Sequence, residues 1–133
     1  LLRLISIILI PFIENLVFFL ITEVEVVGSV AFIIKAAFVL AVLQENGAET
    51  LMHEKHRGQY EHLTFCKNHA ALAESCDLIV AVGGDGTIIH TAKHASVAGK
   101  PILGVNLGRL GFLAGVEKDE LHKLKALFTG DYR

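Results

Sequence analysis

The residues best suited to chemistry stand together at 83–87, Gly-Gly-Asp-Gly-Thr, directly after the unbroken apolar run Leu78, Ile79, Val80, Ala81 and Val82. Gly83, Gly84 and Gly86 permit backbone angles closed to other residues and let a ligand approach the chain. A helix that begins at once, from Thr87, offers free amides that attract phosphate. Asp85 is the loop's single acid and would serve as a helix cap, but a capped turn needs fewer glycines than these. The loop lacks both the Gly-Lys-Ser/Thr of a Walker loop and the Gly-x-Gly-x-x-Gly spacing, and no loop lysine neutralises phosphate. A carboxylate repels phosphates unless it takes a proton from an attacking hydroxyl or holds a metal that bridges to them. Phosphoryl transfer and a plain capped turn are the two readings left.

A second segment, Pro101-Ile-Leu-Gly-Val-Asn-Leu-Gly-Arg-Leu-Gly-Phe-Leu-Ala114, also leaves an apolar run for a glycine loop. Asn106 comes straight off the run and could hydrogen-bond a ligand. Arg109, between Gly108 and Gly111, could reach an anion, and Phe112 could cover an adenine face. Singly, each also has a plain role: Asn106 as turn former, Arg109 as a solvated charge, Phe112 as core.

Taken together, VGGDGT at 82–87 and NLGRLGFLA at 106–114 resemble the NAD kinase family. The resemblance is strong over about 77–133 and reaches more weakly back to 44–49. Gly-Gly-Asp-Gly-Thr alone is shared with lipid kinases of the diacylglycerol type; the Asn-Leu-Gly-x-Leu-Gly-Phe at this distance is characteristic of NAD kinases. The resemblance implies phosphorylation of the adenosine ribose 2′-hydroxyl of NAD to NADP. The donor would be ATP or polyphosphate, with Mg2+ or another divalent cation. It implies Asp85 as proton acceptor, Asp85, Gly86 and His90 as dinucleotide contacts, and Phe112 against the adenine. Gly83, Gly84, Thr87, Asn106 and Arg109 complete the candidate binding set. It also implies a second, all-β domain with a ribose-gripping Asn-Glu pair; the chain reads as one α/β domain, 1–133, ending before it. A homo-oligomer is expected. A diacylglycerol-type lipid kinase lobe and a non-catalytic nucleotide-binding module are the alternatives.

These residues need elements to hold them. Residues 4–10, 77–82 and 101–105, built on apolar runs, read as strands, and 48–52 is a short strand candidate. Helices are expected at 31–46, 67–75, 87–98 and 117–129, with Gly47, Gly99 and Gly130 as stops. The inward stripes would be Phe32, Ala36, Val39 and Leu43; Ile88, Ile89, Ala92 and Ala95; and Leu121, Leu124, Leu127 and Phe128. Residues 12–30 show no clean period, and 53–62 reads as a loop. Strands alternating with helices give an α/β fold with an open, mostly parallel sheet. Ligands bind at the carboxyl edge of such sheets, and both glycine loops sit there.

Composition narrows the class. With 133 residues, 53% hydrophobic and 20% charged, the chain is one globular domain and no disordered segment. A net charge of −2 gives no electrostatic case for nucleic acid or anionic membrane. Residues 1–43 are markedly apolar, but their charge-free runs are about half the length a bilayer requires, so they read as buried core. Cys66 and Cys76 are too few for a secreted disulfide framework, which points to the cytoplasm. His53-x-x-His56 and His90-x-x-x-His94 mimic metal spacings, but no third ligand stands at a supporting distance, so no metal site is expected.

Overall fold

The computed structural model of the chain describes residues 17–22, 30–58, 60, 63–109 and 111–131, with side chains described from residue 34 onward. Among these residues six strands form one sheet: β1 (Val17–Thr22), β2 (Glu49–His53), β3 (Thr64–Cys66), β4 (Leu78–Gly83), β5 (Ile102–Asn106) and β6 (Val116–Glu117). Every neighbouring pair is parallel, in the order β3-β2-β1-β4-β5-β6. Among the described residues four helices accompany them: α1 (Val30–Glu45), α2 (His69–Ser75), α3 (Asp85–Ala98) and α4 (Ala126–Thr129), the last entered through a 3-10 turn at Leu121–Lys125. This is the doubly wound order, whose strand sequence reverses between β1 and β4 and opens a crevice there. The expected parallel α/β sheet is the one observed.

Side-chain alternation along the strands assigns the layers. Met52, Val80, Val82 and Val105 pack with α1 residues Ala36, Val39, Leu40, Val42 and Leu43 and with Leu121 and Leu124. Their strand neighbours Leu51 and Ile79 face the other way, onto Leu72, Ala73 and Cys76 around α2 and Ala95 of α3. β4 is the centre: Ile79, Val80, Ala81 and Val82 are wholly buried, as an apolar run covered on both faces must be.

Most elements fall where the sequence placed them, with shifted edges. The strands expected at 48–52, 77–82 and 101–105 each lie one residue later. Ala48 is occupied in closing α1: its N–H reaches Leu43 O while Gly47 N–H reaches Gln44 O, with Gly47 at φ +89°, a left-handed helix stop that glycine takes without strain. Pro101 has no N–H to give a ladder. α3 starts at Asp85 and not at 87, because Gly84 takes the extended N-cap conformation. Three short or unpatterned strands escaped the sequence: β1 in the region without a period, and β3 and β6, three and two residues long. The helix expected at 117–129 is instead β6, a turn, the 3-10 turn and the four residues of α4, and the acids Glu117, Asp119 and Glu120 precede its helical part. The strand expected at 4–10 lies outside the described residues.

Two inward stripes also need correction. In α1, Ala36, Val39 and Leu43 are buried as expected; Leu40 is buried too, because it stands one turn from Ala36 on the same face, and Val42 joins the same cluster, which includes Leu121 and Leu124 of the turn that packs on the helix. In α3, Ile88 and Ala95 face the sheet, Ala92 is half-buried and Ile89 is half exposed; Thr91 takes the inward place, since 88, 91 and 95 share one helical face. Among the described residues no helix is long and apolar enough to cross a membrane.

Thr91 is completely buried, and its Oγ1 has no hydrogen-bond partner among the described residues. An unsatisfied buried hydroxyl is a net penalty, and a methyl of the same shape removes it. Thr91→Val is therefore expected to stabilise the fold by about 1 kcal/mol, read as a higher urea midpoint at unchanged slope; a lower midpoint would mean the hydroxyl is satisfied.

Candidate active site

The register of β4 against β5 sets Gly83 opposite Asn106, so the two glycine loops leave the sheet side by side at its carboxyl edge. Gly83 O accepts the Leu107 N–H at 3.2 Å, continuing the pairing one step past the strands. A Cβ on Gly83 would run into the Thr87 side chain, and one on Gly104 would stand 2.6 Å from Ile88 Cδ1 and 3.3 Å from Ala114 Cα. Both glycines are thus dictated by packing: they let the first turn of α3 sit down on β4 and β5.

Asp85 is the first residue of α3, where the positive end of the helix favours an acid. It does not cap the helix; Gly84 is the N-cap and makes no side-chain cap bond. The carboxylate crosses to the second loop instead. Its oxygens accept the Phe112 N–H at 3.0 and 3.2 Å, and Oδ1 also accepts the Leu113 N–H at 3.2 Å. A Cβ on Gly111 would lie 2.5 Å from Asp85 Oδ1, so this approach requires glycine there. The sequence pointed to Asp85 and both loops; it gave no sign of the backbone amides of Phe112 and Leu113 as the partners, because main-chain donors carry no side-chain signature.

Asn106, expected as a ligand contact, is wholly buried and otherwise engaged. Its Nδ2 donates to Arg109 O and, at 2.9 Å, to Glu117 Oε2, while Oδ1 accepts the Gly108 N–H at 3.1 Å. It ties Gly108 and Arg109 of the loop together and joins them to β6, which is its plain reading as turn former. Arg109 is exposed on that loop. Phe112 is 94% exposed and Leu113 half exposed beside it, so Phe112 is not in the core of the described residues, its plain alternative, and its side chain is bare on the loop whose amides reach Asp85. A Cβ on Gly84 or Gly86 would meet nothing within 4 Å; these two glycines border open space.

His90 lies in a cluster of imidazoles. Its ring centroid is 5.2 Å from that of His94 and 6.3 Å from that of His69 at the start of α2; His69 in turn is 4.9 Å from His53 and 5.1 Å from His94. His69 is the residue that spacing could not supply, since it comes from another helix. Burial first, then His53, His94, Lys55 and His90, pull the His69 pKa down to about 4, so its ring is uncharged at neutral pH. Burial pushes the Cys76 thiol up to about 12; Cys76 and Cys66 are both unbridged.

Fold and loops together define a doubly wound α/β lobe with a glycine-and-carboxylate site on the carboxyl edge of its central strands. Residues 15–132 match the family model described as the ATP-NAD kinase N-terminal domain, and the chain belongs to that family. The match begins well before the glycine loops and takes in β1, α1 and β2. The NAD kinase of Heliobacterium modesticaldum is 55% identical over 58 residues, 43% of this chain and 20% of that protein. The NAD kinase of Flavobacterium johnsoniae is 40% identical over 80 residues, 60% of this chain and 26% of that protein. The crystal structure of yeast NADH kinase complexed with NADH superposes with a TM-score of 0.69 over 88% of this chain and 39% of that one, at 18% identity. The chain matches about a fifth to a quarter of the length of these curated relatives.

Asp85→Ala and Gly111→Ala should break the same junction, the first by removing the acceptor and the second by displacing it. Each is expected to cost about 1–2 kcal/mol, roughly what partly exposed bonds to a charged acceptor are worth, and to speed amide exchange at Phe112 and Leu113. Because they share one contact, the double variant should cost little more than either single. Strict additivity would show that the two positions act separately.

Proposed function

We propose that this chain is the α/β lobe of an NAD kinase, which transfers a phosphoryl group to the adenosine ribose 2′-hydroxyl of NAD. The observation that carries this reading is Asp85, held at the start of α3 by the amides of the opposite loop. A carboxylate has about four acceptor sites; three are used on Phe112 and Leu113, which leaves about one for a substrate hydroxyl. Asp85 would take the hydroxyl proton as the ribose oxygen forms its bond to phosphorus and the donor's bridging oxygen leaves with the rest of the ATP or polyphosphate. Gly84, Gly86 and Thr87 would bring the helix amides to phosphate, and the open face of Phe112 would carry the adenine.

Magnesium or another divalent cation suits this edge only in part. Mg2+ is usually held by substrate phosphates with one or two carboxylates, and the 83–87 loop supplies a single one, Asp85; when bound, the ion would neutralise phosphate charge. One wall alone does not align hydroxyl and phosphate, and such alignment is worth roughly 7–11 kcal/mol, so the isolated chain is expected to form no NADP. The exposed Ile34 and Phe38, one turn apart on α1, support a self-associating lobe, and unbridged Cys66 and Cys76 support a cytoplasmic setting.

The test is a chimera in which residues 78–131 replace the matching segment of the Heliobacterium modesticaldum NAD kinase. It should form NADP, and Asp85→Ala should abolish this. Gly86→Ala separates ligand space from packing. It should stabilise the first turn of α3 by about 0.5–1 kcal/mol, the usual helix gain over glycine, yet lower NADP formation by about tenfold or more, a barrier change near 1.4 kcal/mol. An active Asp85→Ala chimera, or Gly86→Ala at full rate, would overturn the reading.

A further inference from the structure

We propose that His69, His90 and His94 form a binding site for one zinc-type divalent metal ion on the surface between α2 and α3. Each offers one ring nitrogen, and these three atoms lie within 4.8 Å of one another. Tetrahedral zinc with bonds near 2.0–2.1 Å needs ligand nitrogens about 3.4 Å apart, so the rings must draw together by roughly 1.4 Å. His69 and His94 are half-buried and His90 is exposed, so none of the three rings is locked in the core and each can turn about its side-chain bonds toward the others.

The backbone already arranges the set. His90 and His94 are four residues apart on α3 and therefore share a face. α2 packs against α3 and presents His69 at its first position, where the helix is anchored by Asn68 Oδ1 accepting the Ala71 N–H at 2.8 Å. His53, the last residue of β2, stands 4.9 Å from His69 and holds its own orientation by accepting the Lys55 N–H on Nδ1 at 3.0 Å. Four of the seven histidines thus converge from three elements.

The donor set selects the ion. Three imidazoles with no carboxylate suit zinc, copper, nickel or cobalt and reject magnesium and calcium, which take oxygen. Three protein ligands with a water in the fourth place is an ordinary zinc arrangement. The site is therefore distinct in chemistry from any magnesium carried in on nucleotide phosphates. His90 is also the dinucleotide contact implied by the sequence, so the measurement is made without nucleotide.

The chain, free of any polyhistidine tag, would be titrated with Zn2+ by calorimetry and with Co2+ by visible absorption. The expected result is one Zn2+ per chain, a tetrahedral cobalt spectrum and no heat with Mg2+. His69→Gln and His94→Gln, on separate helices, should each weaken Zn2+ binding by at least about tenfold, the lower bound even for loss of a supporting contact. His122→Gln, an exposed histidine on the Leu121–Lys125 turn, should leave it unchanged. Absence of stoichiometric uptake by the unsubstituted chain, an octahedral cobalt spectrum, or less than about a tenfold effect in either variant would reduce the cluster to a stack of rings and overturn the proposal.

Discussion

One carboxylate joins the two halves of the candidate site. Asp85 belongs to the loop and helix after β4, and the amides it accepts belong to the loop after β5. Without that crossing, parallel pairing would place the loops side by side but would not fix their distance. With it, the helix N-terminus, the bare face of Phe112 and the open side of Gly84 and Gly86 become one surface. The rest of the lobe serves this junction. Gly83 and Gly104 let α3 descend onto the strands, Gly111 lets the carboxylate approach, and buried Asn106 sets the shape of the loop that brings Phe112 and Leu113 to it.

The glycines accordingly divide by task. Gly83, Gly104 and Gly111 are demanded from within, because an added Cβ would strike Thr87, Ile88 or Asp85. Gly84 serves as the extended N-cap, a place where glycine is preferred to alanine, but Gly86 is demanded by no packing among the described residues, and glycine inside a helix gives up stability that alanine would supply. Positions that forgo stability without a packing reason are where a ligand is expected to approach.

The strongest sequence signals were those with a purely local cause. β4 was legible because four successive buried apolar residues leave no polar face, and α1 because Gly47 marks its stop. Asp85 and Phe112 stood out by type, an acid among glycines and an aromatic in the second loop, and the structure brings the two together. What stayed hidden depends on tertiary partners. β6 is two residues that become a strand only against β5, and Thr91 looks like a polar surface residue until α3 is seated. Asn106 has the type of a ligand contact, and only the positions of Arg109, Gly108 and Glu117 show that its amide is occupied. His69 joins His90 and His94 through the packing of α2 on α3, which no spacing in one helix reveals.

The central claim is that the loops after β4 and β5 act as a single nucleotide surface held together by Asp85. Amide chemical-shift mapping of the labelled chain with NAD tests it most directly. The account predicts that residues 84–87 and 111–113 shift together along one titration curve, and that Asp85→Ala removes the response from both. Shifts confined to one loop, shifts centred elsewhere, or none at millimolar NAD would contradict it.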